Sequence, residues 1–230
     1  MGLGAEEWQV VCLSVKVASV ATILSLPVAV VVAYLLSRTR FAAKPLLNAF
    51  VYLPLIMPPV VTGFILLRLF APNAPLGRFL EETLGLTLAF RWTGAALAAA
   101  VMAFPLMVRA IRLALDAVDP RLEIAAETLG ARRSVAFFTV TLPLVLPGIL
   151  AGVVLAFAKS LGEFGATITF VSNIPGETRT LPLAIYTNLQ IPGQEAAALE
   201  LAFLAVAISL VAIFLSEWIA HRMARRMQGG

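Results

Sequence analysis

Charge, cysteine and histidine are all scarce in this chain of 230 residues, and each shortage closes off a class of protein. Charged residues make up 13% of the sequence, against roughly a quarter in soluble domains, which excludes an ordinary water-soluble domain. The one cysteine, Cys12, has no partner for an intrachain disulfide. Set in an apolar run, it reads as a small buried hydrophobe. The one histidine, His221, lies in a basic tail, and without a Cys/His cluster no metal site is expected. The phosphate-binding pattern G-x-x-x-x-G-K-[ST] is missing, so the chain cannot hydrolyse ATP by that route. No nucleophile constellation stands out, so no catalytic residue is assigned and no enzyme is expected. The apolar stretches hold no carboxylate–histidine relay, which argues against proton-driven transport. The first residues include Glu6 and Glu7 rather than a basic run, so no cleavable signal peptide is expected.

What is abundant is apolar sequence. Hydrophobic residues reach 60% and mean hydropathy is +0.95. Five stretches, near 11–36, 45–67, 92–108, 134–158 and 196–220, each approach the ~20 residues that a membrane-crossing helix needs. Backbone polar groups have no partner in lipid other than one another, so helix is the state open to such runs. The chain therefore reads as all-α and membrane-embedded, one domain over 8–220 followed by a basic tail at 221–230. Basic residues concentrate on one side. Arg38, Arg40 and Lys44 follow the first span, Arg109, Arg112, Arg121, Arg132 and Arg133 flank the loop after the third, and Arg222, Arg225 and Arg226 fill the tail. The positive-inside rule then puts the N-terminus outside and the C-terminus in the cytoplasm. Trp8, Trp92 and Trp218 fall at span ends, where amphipathic rings favour the interface. Lys16, near the outer end of the first span, reads as a side chain snorkelling to the headgroups.

The loop after the third span carries the strongest local pattern. Asp119-Pro120 opens a helix, the Asp capping and the Pro in the first helical position. Gly130 closes it. Between them Leu122, Ala125, Ala126 and Leu129 recur with helical spacing and form an apolar face. Arg121, Glu123, Glu127 and Thr128 cover the rest. A helix of roughly three turns is marginal alone. It must pack on the chain's own helix ends, lie on lipid, or enter a groove on a soluble partner.

The run Glu123-Ile-Ala-Ala-Glu-Thr-Leu-Gly130, nine further residues, and then Val140-Thr-Leu-Pro143 resemble the EAA loop of binding-protein-dependent ABC importer permeases. Ala125, Ala126, Gly130, Leu142 and Pro143 match that family's pattern, and Val140 replaces its isoleucine. The family's glutamate falls at Ile124, while this chain has Glu123 one place earlier. The resemblance implies a five-span permease of the type I fold in the bacterial inner membrane. Its coupling helix would comprise Arg121, Leu122, Glu123, Ala125, Ala126, Glu127, Leu129 and Gly130. Two copies of the chain would form the pore, with two ATP-binding subunits below and an external oxyanion-binding protein above. ATP and magnesium would sit on the partner ATPase, with no cofactor on this chain and no nucleic-acid partner.

Two further segments resemble the molybdate group of that family, Leu53-Pro-Leu-Ile-Met-Pro-Pro-Val60 and the stretch from Phe157 to Thr180. The sulfate and thiosulfate group shares only the Gly-Glu-Phe-Gly core at 162–165, and remains an alternative. An ion-coupled transporter or a channel is the rival of a different kind. In the first segment Pro58 and Pro59 break the span, because each lacks an N–H, and Thr62 and Gly63 follow. Broken membrane helices commonly line a cavity, although packing alone also explains a kink. In the second segment Gly162 and Gly165 interrupt the helix and the β-branched run at Thr167–Thr169 is expected to leave it. Lys159 and Glu163, four apart, read either as a self-neutralising pair or as groups beside an anion path. Ser160 and Glu163 match a capping box. The candidate pathway set is thus Pro58, Pro59, Thr62, Gly63, Lys159, Ser160, Glu163 and Thr167.

Overall fold

The computed structural model describes residues 4–228; the side chains of 216, 217 and 219–230 lie outside that description, and with them the basic tail and His221. Among the described residues every regular element is helical. In chain order they are α1 (Ala5–Arg38), α2 (Lys44–Ile56), α3 (Pro59–Phe70), α4 (Pro75–Leu84), α5 (Trp92–Ala117), α6 (Pro120–Thr128) and α7 (Arg133–Ala136). A π-helical turn (Phe137–Thr141), α8 (Leu142–Leu161), α9 (Gly165–Val171), α10 (Leu181–Leu189) and α11 (Glu195–Gln228) complete the chain.

Four helical stretches are long and apolar enough to cross a membrane, α1, α5, the run Arg133–Leu161 and α11 to Leu215. The stretch expected to be a single span at 45–67 is instead two helices, α2 and α3, bent by 114°. Proline is the cause. Met57, ahead of Pro58, takes an extended conformation with ψ 145°, as pre-proline sterics favour. Pro58 and Pro59 donate no N–H to continue the ladder. If the bent pair counts as one span, the total is five.

α5 is the centre of the bundle, with α1 on one side and α8 on another. Lipid tails are as apolar as leucine, so helices associate here through close packing rather than water exclusion. The sequence supplies small residues for that purpose. Ala95, Ala96, Ala98, Ala99 and Ala103 are all buried along α5. Gly148 and Gly152, four apart on α8, face Ala114, Ala110 and the Met107 carbonyl of α5. A Cβ built on Gly148 would lie 2.2 Å from that of Ala114, so the contact admits only glycine. Ala29, Ala33, Met107, Val108 and Ile111 extend this core toward the end that carries α6.

One expectation fails on α1. Its packed face is Val10, Val11, Ser14, Val17, Ala18 and Ala21, which leaves Cys12 exposed on the outer surface of the bundle. Lys16, expected to snorkel to the headgroups, has a partner within the chain. Its Nζ sits 3.6 Å from the centroid of the Trp92 ring, a cation–π contact that ties α1 to the start of α5.

Two of the basic segments assigned to the cytoplasm, the one after α1 and the one around the loop helix, meet at one end. Arg38 donates to the Val118 carbonyl at 2.8 Å. Arg112 donates to Asn48 Oδ1 at 2.9 Å and pairs with Asp116 at 3.6 Å. The opposite end has its own braces. The Leu181 amide donates to Ser14 Oγ at 2.7 Å, and Arg91 pairs with Glu177 at 3.7 Å.

Candidate functional site: the cytoplasmic loop helix and the broken second span

α6 is stopped at both ends by the residues that mark it in the sequence. Asp119 Oδ1 accepts from the Arg121 amide at 2.9 Å, and Pro120 occupies the first turn. At the other end the Gly130 amide donates to the Glu127 carbonyl and the Ala131 amide to the Ala126 carbonyl. Those two bonds form a Schellman motif. It needs a left-handed residue, and Gly130 has φ +94°.

The side chains of α6 face outward. Leu129 is 90% exposed, Ile124 57% and Leu122 46%. Arg121, Ala125 and Glu127 are exposed as well, and only Glu123 and Ala126 are half-buried. The apolar face expected at Leu122, Ala125, Ala126 and Leu129 therefore does not dock on the chain's own helix ends, apart from Ala126. Glu127 pairs with Arg133 at 3.8 Å, which links α6 to α7.

Glu123 does what its place on the polar side did not suggest. It turns inward, where Thr141 Oγ1 donates to its Oε1 at 2.5 Å. The Arg38 guanidinium lies 3.9 Å from the same oxygen. Thr141 is fully buried and ends the π-helical turn before α8, and Arg38 ends α1. Arg38 and Thr141 were not singled out in the sequence, because 85 and 18 residues separate them from Glu123 and no periodicity links them.

The second candidate region is where α3 meets α9. Thr62, Gly63 and Leu66 form the buried face of α3. A Cβ on Gly63 would come within 2.4 Å of the Ala166 carbonyl, and one on Gly165 within 2.8 Å of Pro59. Thr62 Oγ1 is buried without a hydrogen-bond partner. Pro58 and Pro59 stand exposed at the bend. Contrary to the expectation from its β-branched run, the segment after Gly165 resumes as helix, with Thr167 buried inside it.

Glu163 makes that restart possible. Its Oε1 accepts from the Ala166 amide at 3.0 Å, which satisfies one of the free donors in the first turn of α9. Its Oε2 meets Lys159 Nζ at 2.7 Å. Its side chain is only 1% exposed, so both oxygens are committed within the protein. The Ser160–Glu163 capping box does not form. Ser160 stays in the last turn of α8, its Oγ 3.5 Å from the Ala99 carbonyl. The structure thus brings Pro59 and Gly63 against Gly165 and Ala166 in a junction capped by Glu163, with Thr62 and Thr167 buried on the two helices and Lys159 and Ser160 on the helix before it. Among the described residues no group of three His, Cys, Asp or Glu side chains is placed to hold a metal ion.

Residues 25–228, which include both regions, match the family described as the binding-protein-dependent transport system inner membrane component. The chain belongs to that family. It is a multi-pass inner-membrane permease component, and its fold is that of the type I ABC importer permeases. A bacterial ABC transporter involved in importing the acidic polysaccharide alginate superposes on 96% of this chain and 80% of its own, with TM-score 0.74 at 14% identity. The molybdenum transport system permease protein ModB of Escherichia coli (strain K12) is 56% identical over 229 residues, covering 100% of both chains. The sulfate transport system permease protein CysT of the same strain is 37% identical over 212 residues, 92% of this chain and 76% of its own.

Proposed function

We propose that this chain is the membrane permease subunit of an ATP-driven importer of molybdate or of tungstate, an oxyanion of the same charge. Two copies enclose the path, two ATP-binding subunits dock on the cytoplasmic side, and an external binding protein delivers the anion. The observation that supports this reading is α6. A short helix capped at both ends, with Leu122, Ile124 and Leu129 turned to the outside, has the character of a docking element. The choice of anion rests on the higher identity, over the full length, to the permease named for molybdenum than to the one named for sulfate.

In this reading the chain itself performs no covalent chemistry. ATP binding draws the two ATPase subunits together, the loop helices seated on them follow, and the spans switch the opening from one side to the other. That is alternating access by rigid-body motion. The bend at Pro58–Pro59 and the α3–α9 junction border the path. Lys159 carries its own counter-charge in Glu163, so it lends an entering dianion a positive end without trapping it.

The test is ATP-dependent uptake of labelled molybdate into proteoliposomes holding this permease with its ATPase and binding protein. Uptake resistant to excess sulfate and abolished by Gly130→Pro is the expected result, since proline cannot adopt φ +94°. Uptake blocked by sulfate would replace molybdate with sulfate as the cargo. Uptake without ATP would overturn the importer reading.

A further inference from the structure

The buried side of the loop helix makes a polar clamp with two spans. One carboxylate oxygen, Glu123 Oε1, accepts from Thr141 at 2.5 Å and faces Arg38 at 3.9 Å. Arg38 in turn donates to the Val118 carbonyl, one residue before the Asp119 cap. Three elements therefore meet at one oxygen: the end of α1, the start of α6 and the turn that leads into α8. The side chains of Arg38 and Glu123 are only 12% and 15% exposed. Thr141 is 0% exposed. A charge-assisted hydrogen bond shielded from water holds its geometry better than an exposed one.

The location of Thr141 gives the clamp a direction. It closes the five-residue π turn in which the Leu142 amide donates to the Phe137 carbonyl. Pro143 follows and has no N–H to offer the preceding turn. The start of the fourth span is therefore a loosened helix held from the side by Glu123. Apart from Glu123 and the half-buried Ala126, α6 offers the membrane domain nothing but exposed side chains.

We infer that Glu123 is a positioning residue that makes the loop helix, the end of α1 and the start of α8 move as one body, so that displacement of α6 reaches the spans. The inference rests on the proposed docking of an ATPase on α6. Without the clamp, a partner can still seat on the outer face of α6, but α6 shifts against the spans instead of carrying them.

The experiment uses the complete transporter in proteoliposomes and reads three quantities: retention of the ATPase subunit on purification, ATP turnover, and molybdate carried per ATP. Thr141→Val removes the donor at nearly constant volume. The expected result is a retained, hydrolysing ATPase with molybdate per ATP reduced at least about fivefold, the lower end of ordinary coupling energies. Thr141→Ser restores the parental ratio, because the hydroxyl returns. Glu123→Ala, which empties the same contact from the exposed helix, gives the same uncoupling and carries the test if Thr141→Val fails to accumulate in membranes. Parental molybdate per ATP in both Thr141→Val and Glu123→Ala overturns the clamp. Leu129→Asp separates the two levels of the argument. It alters only the exposed face, and its expected effect is loss of the ATPase. If it leaves the ATPase bound and active, the docking reading itself fails, whatever the clamp variants do.

Discussion

α5 and α6 are joined by two residues and live by opposite rules. In the most apolar stretch of α5, 61% of the residues are buried. In α6 no residue is fully buried. α5 is held by close contact of small side chains with α1 and α8, so its information lies in the absence of volume. α6 is held by its caps and by one inward carboxylate, so its information lies in single polar atoms and in apolar groups left outside. The difference separates a part of the molecule held by packing from a part that leaves apolar groups outside.

The largest expected effect falls on the first kind of region. Gly148→Leu drives a branched side chain into Ala114, where even a Cβ lies 2.2 Å away. Overpacking of this kind costs about 3 kcal/mol or more when backbones cannot separate. The expected outcome is loss of folded permease, measured as the fraction that stays monodisperse after extraction and mild heating. A stable Gly148→Leu protein would show that the α5–α8 contact is not the rigid centre of the bundle.

Leu129→Asp, on the other side of the comparison, leaves the folded permease within about 0.5 kcal/mol of the parent, since the side chain touches little of its own chain. Its cost appears only in the complex, about 2 kcal/mol or more of ATPase affinity if Leu129 is an anchor of the docked face. Thermal unfolding of the lone subunit against binding of the ATPase is the measurement that divides the two.

The smallest effect is local. Asp119→Ala removes the bond to the Arg121 amide and costs α6 about 1 kcal/mol. Hydrogen exchange should speed up across 121–129 and remain unchanged in α5. Equal loosening of both helices would mean that α6 draws its stability from packing after all.

Much of this arrangement is legible in the residues. Asp119, Pro120 and Gly130 act locally, through bonds to neighbours two to five residues away, and their roles follow from chemistry that sequence displays. Pro58 and Pro59 likewise act through missing N–H groups, so the interruption was foreseeable, but not its size of 114°. Glu163 is a partial case. Its partner Lys159 is readable at a spacing of four, while its second role, capping α9, depends on how the chain turns at 162–164. Glu123 was left open because its partners lie 18 and 85 residues away, and Cys12 was read wrongly for another reason. Which face of a helix turns inward is decided by its neighbours, and an apolar helix in lipid has no polar side to reveal that choice.

By itself, then, the sequence determined the medium, the limits of the loop helix and the membership of a permease family. Each depends on composition or on contacts close along the chain. Tertiary structure alone decided the angle of the broken span, the outward turn of Leu122, Ile124 and Leu129, and the meeting of Glu123 with Arg38 and Thr141. Those arise from packing between segments up to 85 residues apart, whose orientation is settled only when small residues such as Gly148 and Ala114 bring the helices into contact.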